Sequence, residues 1–368
     1  MAFKRLDPED FIISSDSVTS TVWSNNSPQL NTYHTSSIQE EGSSGPFYIS
    51  IYNTGSQDIS SEVQFQIAYG NKQGGGGIDY DGAVPNVSST STIYGQYRAL
   101  VLEDENSKFT WGPLYTGSGD FNDFYALSIE RSRYKQTLLP GSTNIILRNM
   151  SLFPGTDDCI HLTDNSNMVT IPDYYGTTRV YQLISGSNGS SWDGGDGFAT
   201  QEVNNTTIRY SYGWFLPDIA TILLNPDALA LPADQGIGMT TTRTNNTNAK
   251  NPATLYKQFS GSSDTLFQAA QTPVNPGVFA LNSQETLTSD FVFVRTRNSE
   301  FNYSENPTFI SGSTGEVIYT YFINNPTVFP TTIGLYNDSN DLLAVAKLSK
   351  PLQKDFTKEA LVRVKLDF

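Results

Sequence analysis

The last quarter of the chain, Glu285 to Phe368, carries the clearest alternation of apolar and polar positions. In Leu361–Phe368 the apolar Val362, Val364, Leu366 and Phe368 alternate with Arg363, Lys365 and Asp367. A side-chain period of two sends the first set to one face and the second to the other, the pattern of a half-buried strand. The expectation is that this end of the chain is built into a sheet as a structural lock. Phe291–Arg297 (Phe-Val-Phe-Val-Arg-Thr-Arg) predicts a strand whose central part is apolar on both faces. Ile333–Asn337 and Leu342–Leu348 flank Asp338-Ser-Asn-Asp341 and predict two strands with a turn between them.

Upstream, Phe47, Ile49 and Ile51 alternate with Tyr48, Ser50 and Tyr52, and Val63, Phe65, Ile67 and Tyr69 with Glu62, Gln64, Gln66 and Ala68. The turn-rich Asn53–Asp58 joins them into an expected antiparallel pair. Phe124–Arg131, Asn144–Arg148, Val180–Ile184 and Ile208–Phe215 read as further strands; Ile93–Leu102 fits a helix or a strand equally. Asn188–Gly197 is a Gly/Ser/Asp loop carrying Trp192, and Gly236–Lys250 is a Thr/Asn-rich surface loop. The fold class is mainly β: antiparallel sheets in sandwich-like domains, with long irregular loops and an extended N-terminal arm. The expected division is an arm at 1–45, a β-domain at 46–150, a loop-rich β insertion or middle domain at 151–280, and a C-terminal β module at 281–368.

The arm holds too few apolar groups to fold alone. Phe3, Phe11, Ile12 and Trp23 are spaced as anchors, which makes them interface candidates, and the arm is expected to order on a neighbouring subunit. In the polar link Asn298–Pro307, Phe301 and Tyr303 are candidates for the same reason, and the link is expected to be ordered and partly buried. Trp192, in its loop, is a third candidate contact.

Composition narrows the function classes. Charged residues are only 16% of the chain, against about 25% in ordinary globular proteins. Phe (21) and Tyr (20) supply real core material, while Ser, Thr, Asn and Gly supply the turns. With 22 basic and 37 acidic residues the net charge is −15, which repels nucleic acid and anionic membranes alike. One cysteine permits no intrachain disulfide and suits a reducing compartment. The start, Met-Ala-Phe-Lys-Arg-Leu-Asp-Pro, lacks the apolar core of a signal peptide, and no apolar run approaches a membrane span.

Chemistry is thinly supported. The two histidines are His34 and His161. His161 lies two residues from Cys159, on one face if the segment is a strand, but a buried thiol and a loop imidazole explain both. Zinc needs more Cys/His ligands than exist here. Asp79/Asp81, Asp193/Asp196 and Asp338/Asp341 are spaced for calcium, yet turn chemistry accounts for each pair. No phosphate loop or nucleophile elbow occurs, so no catalytic residue, cofactor or metal is assigned.

Phe291–Phe309, Ile310–Glu316, Gly334–Asp338, Leu342–Lys347 and Lys354–Phe368 resemble a virion structural protein family of contractile-tailed phages (myoviruses) that infect marine cyanobacteria. Phe3–Asp10, Ile93–Arg98 and Tyr212–Ile219 resemble it too. The resemblance implies a particle building block with no catalytic motif. The acidic surface argues against lining the genome-filled head, so the expectation is a tail or baseplate component, made and assembled in the host cytoplasm, that binds other virion proteins and its own copies in a symmetric ring. The alternative is a receptor-binding or tail-fibre protein whose loops contact host glycan.

Overall fold

A computed structural model describes residues 4–23, 29–30, 34–35, 48–54, 58–74, 89–104, 106–110, 122–148, 159–192, 194–232, 235–239, 255 and 278–367. The protein is mainly β, with antiparallel pairing throughout its large sheets. It divides into two compact units, Met1–Val18 with Thr286–Phe368, and Thr19–Glu285. The grouping differs from the expected four parts. Asp123–Ile129 pairs with Thr221–Leu224, and Asn144–Arg148 with Cys159–Asp164, so one sheet runs across the expected boundary at 150.

In the larger unit the main sheet has an eleven-strand path. Its order is Gln29–Leu30, Val278–Ala280, Asn144–Arg148, Cys159–Asp164, Thr178–Ser187, Gly213–Leu216, Thr221–Leu224, Asp123–Ile129, Val63–Asn71, Tyr48–Tyr52 and His34–Thr35. The expected pair Tyr48–Tyr52 and Val63–Asn71 forms, with Ile49 opposite Ile67 and Ile51 opposite Phe65. The central strands are buried on both faces, which explains their continuous apolar runs. Phe215, Ile222, Leu224, Tyr125 and Leu127 enter one core, while Trp214, Leu216, Leu223, Phe124 and Ala126 enter the other.

Gly213 makes the tightest point of this sheet. Its φ is +140°, and a Cβ there would lie 1.9 Å from the Leu223 carbonyl oxygen. Only glycine lets the two strands close at that rung. The expected single strand Ile208–Phe215 is in fact two, Thr206–Tyr210 and Gly213–Leu216, which pair with different partners.

The ambiguous stretch Ile93–Leu102 is helical. Ser89–Tyr97 is an α-helix that continues as a wider turn through Arg98–Leu102, and Glu103 ends it at φ +57°. Ser and Thr at its start are poor helix formers, so packing sustains it. Tyr94 stacks on Phe124 at 5.6 Å and meets Phe109 edge-on at 5.5 Å.

In the smaller unit Asn282–Thr296 is the middle strand, flanked by Phe11–Thr21 and Ala360–Asp367. Val292 faces Val364 and Val294 faces Val362 across the second pair. The N-terminal segment is therefore an edge strand of its own chain. Lys4 fastens it, pairing with Glu300 at 3.1 Å and donating to the Arg295 carbonyl. The Arg297 N–H and Lys4 together hold the Glu300 carboxyl below its ordinary pKa. Ala360–Asp367 is the opposite edge. Val364 is buried, Val362 and Leu366 are half-buried, and Phe368 lies outside the described residues. Thr332–Tyr336 and Leu342–Lys347 pair as the expected hairpin.

Candidate functional site

The smaller unit has little core. Its buried apolar side chains, among the described residues, are Val292, Phe322, Val328 and Val364. The described residues of the larger unit include forty-two. For large apolar side chains left exposed the order reverses, with sixteen among the described residues of the smaller unit and seven among those of the larger. Scattered exposed leucines are ordinary; these are grouped. Phe11, Ile12 and Ile13 open one strand, Val317 to Ile323 form a second group, and Leu342, Leu343 and Val345 a third.

The third group shows how the sequence produces this. The hairpin is a two-stranded sheet on its own, with Ile333, Leu335, Ala344 and Ala346 half-buried on one face and Leu343 and Val345 exposed on the other. Such a hairpin is marginal in water, and its turn carries the order. Asn337 Oδ1 accepts from the Asp341 N–H at 2.7 Å and the Ser339 N–H at 3.0 Å. Asn337 Nδ2 donates to Asp341 Oδ2 at 3.1 Å, and Asn340 takes φ +64°. Asp341 is thus part of the turn.

Charge follows the same division. The smaller unit holds ten basic and thirteen acidic residues, the larger twelve and twenty-four. The well-cored unit thus carries a net charge of −12 and the smaller unit −3. The apolar surface sits on the unit close to charge balance, as in the interior of an interface.

The candidates drawn from sequence fall on both sides of this picture. Phe11 and Ile12 are exposed, as anchors would be, and so are Tyr303 and Trp192. Phe3 lies outside the described residues. Trp23 is no surface anchor: it is 3% exposed and packs against Phe65 and Phe279 at 6.0 and 5.1 Å. Phe301 is half-buried in a turn at φ +54°, which removes it from any core.

The sequence gives no sign of Lys354. It is 1% exposed. Its Nζ donates to the Asn298 carbonyl at 3.0 Å, Asn302 Oδ1 at 2.9 Å and the Asp355 carbonyl at 3.2 Å. All three ammonium protons thus find neutral acceptors. Its backbone exchanges both bonds with Val328 at 2.9 Å. This side chain ties Asn298 and Asn302 of the Asn298–Pro307 link together, and Asn302 Nδ2 adds a bond to the Asn298 carbonyl at 2.6 Å. A lysine in a polar stretch reads as solvated, so pattern alone does not find it.

Cys159 Sγ lies 3.3 Å from His161 Nε2, and Trp192 meets the imidazole edge-on at 5.6 Å. Among the described residues no group of three or more His, Cys, Asp or Glu forms to extend the pair into a metal centre. Burial pushes the His161 pKa below its ordinary 6.5. The folded state then binds a proton less readily than the unfolded one, so stability is retained above pH 6.5 and falls as pH drops below it. Melting temperatures across this range are expected to show that loss in the native chain and less of it in His161→Gln; an equal loss in both excludes His161 as its source. Of the acidic pairs, Asp79, Asp81 and Asp193 lie outside the described residues, and Asp196 is held by Arg209.

No family model, curated protein or solved structure matches the chain.

Proposed function

We propose that this protein is a structural component of a tailed-phage virion, in the tail or baseplate, and that Met1–Val18 with Thr286–Phe368 forms its assembly surface. The observation that carries the assembly reading is the inverted burial of that unit. Taking roughly 150 Å² per large side chain, half exposure across the set leaves on the order of 1,000 Å² of apolar surface. A stable interface needs about 800 Å² per partner. The particle itself comes from the resemblance of the C-terminal segments to virion proteins. The partners are other tail or baseplate proteins and further copies, joined in the host cytoplasm.

The test uses the hairpin. Replacing Leu342, Leu343 and Val345 with serine is expected to change the unfolding free energy by no more than about 0.5 kcal/mol per site, because these side chains are exposed. Incorporation into particles, read by antibody-gold labelling of virions, is expected to be lost. Normal incorporation of the triple variant would remove the hairpin from the interface, and unlabelled wild-type virions would end the virion reading. One observation favours a second reading, contact with host glycan. Trp192 is 66% exposed, and an open indole face can stack on a sugar ring. Binding of the native chain but not Trp192→Ala to host surface polysaccharide would establish it.

A further inference from the structure

We propose that the cleft between the turns at 139–142 and 187–190 of the larger unit binds a neutral saccharide. The inference goes beyond the assembly reading. It shares with the glycan reading only the class of ligand, and it is carried by residues other than Trp192. The cleft holds about 390 Å³, at the small end of the roughly 300–1,000 Å³ of ligand sites. That is room for a small ring-shaped ligand and too little for a folded partner.

Its lining has two characters. Leu139, Pro140, Ala280 and Leu281 give an apolar side, and Asn144, Asn167, Asn188 and Asn282 give four carboxamides. Among the described residues no acidic or basic side chain lines it. An ion entering the cleft would lose water and gain no counter-charge. A neutral sugar fits both characters, with C–H groups for the apolar side and hydroxyls that donate and accept for the amides.

The bonds already made decide which amide atoms remain for a ligand. Asn144 Oδ1 accepts from the Asn188 N–H at 3.1 Å and from the Ser187 hydroxyl at 3.2 Å. Asn144 Nδ2 therefore donates to Asn188 Oδ1, at 3.2 Å, and Asn188 Nδ2 is left without a partner among the described residues. Asn167 Nδ2 donates to the Asn188 carbonyl at 2.7 Å, which leaves Asn167 Oδ1. Asn282 bonds through its backbone, the N–H donating to Ser142 Oγ at 3.0 Å, and its carboxamide bonds to no described residue. A donor, an acceptor and an amide that is both thus remain, the complement of neighbouring hydroxyls. The walls are fixed before a ligand arrives. The buried Asp164 carboxylate accepts from the Gly141 N–H at 2.9 and 3.0 Å, and Thr163 Oγ1 accepts from the Gly189 N–H at 2.9 Å. A Cβ on Gly189, at φ +77°, would lie 2.8 Å from Asn167 Nδ2 and 3.0 Å from the Gly141 Cα, so the two turns touch there. A preformed site loses little entropy on binding. The Ser191 N–H donates to Met168 Sδ at 3.3 Å, which joins the residue beside Trp192 to the residue beside Asn167.

The experiment titrates the full chain with glucose, galactose, mannose and N-acetylglucosamine, and with glucuronate and glucosamine as charged comparisons. Calorimetry reads the affinity, and NMR reads the side-chain amide signals. At least one neutral sugar is expected to bind, with a Kd on the order of 1 mM, and to shift the amide signals of Asn188 and Asn282. The charged sugars are expected to bind about tenfold more weakly or not at all. Asn188→Asp keeps the bond from Asn144 and removes the donor. It and Asn282→Ala are each expected to weaken binding about tenfold, the loss of one hydrogen bond to the ligand. Both variants are expected to melt with the native chain, since the groups removed hold no described residue. Should a variant unfold, the amide shifts of the native chain still read the site. No binding of any neutral sugar, equal binding of the charged ones, or binding unchanged in both variants overturns the inference. If host polysaccharide binds and only Trp192→Ala loses it, the cleft falls and the glycan reading stands. If small sugars fill the cleft and host polysaccharide does not bind, the glycan reading falls and the cleft stands.

Discussion

Trp214→Ala is expected to lower the unfolding free energy of the Thr19–Glu285 unit by about 3–5 kcal/mol. The side chain is fully buried on a four-residue strand in which every position is buried. It stacks on Tyr175 at 4.8 Å and meets Phe109 edge-on at 5.6 Å. Phe109 in turn contacts Phe124 at 5.1 Å, so the indole closes a chain of aromatic rings over one face of the sheet. The neighbouring strands pair on both sides, through Gln182 and Leu223, and leave the backbone no freedom to collapse into the space. Trp192→Ala is the control, with an expected change below about 0.5 kcal/mol at an exposed site. Chemical denaturation measures both. A cost under about 1 kcal/mol for Trp214→Ala would mean that this second core does not hold the sheet.

Lys354→Met is expected to cost about 3 kcal/mol in the smaller unit, because it removes the lysine's bonds to the Asp355 carbonyl and Asn302 Oδ1 and leaves the Asn298 carbonyl with Asn302 Nδ2 alone. The methyl thioether fills similar space, so the loss is one of hydrogen bonds. Lys354→Arg is expected to suffer as well, since a planar fork does not reproduce three donors around one nitrogen. The effect is large because the unit buries so few apolar side chains that a single polar hub carries the link. Trypsin reads it directly. Cleavage after Arg297 is expected to speed up by about a hundredfold in Lys354→Met, the population change that corresponds to that free energy. An unchanged cleavage rate would show that the link is held by something other than the lysine.

Period-two patterns made most strands legible. Ile49 and Ile51, Phe65 and Ile67, and Val362 and Val364 all announce a face, and the structure gives each of them that alternation. Other features were hidden. Continuous apolar runs such as Thr221–Leu224 do not say which strand lies beside them, so pairing across the expected domain boundary could not be read. The helix Ser89–Tyr97 is carried by ring packing from distant strands, and its own residues are neutral between helix and strand. Trp23 looked like an anchor because its sequence neighbours are polar; its partners Phe65 and Phe279 come from far along the chain. The apolar surface of the smaller unit was hidden for a related reason. The same alternation that predicts a covered face does not say whether the cover comes from this chain.

The smaller unit is interrupted: the whole of Thr19–Glu285 is inserted between its first strand and the rest of it. This fixes an order of events on the ribosome. Phe11, Ile12 and Ile13 emerge early, yet the strand they pair beside, Asn282–Thr296, is made only after the inserted unit has been translated. At about 5–20 residues per second the wait is on the order of tens of seconds, ample time for the large sheet to fold first. During that interval the nascent N-terminus is an unpaired, sticky strand. Its sparse apolar content and its acidic cluster at Asp7, Glu9 and Asp10 then serve a second purpose, keeping the waiting segment soluble on crowded polysomes until its own partner arrives.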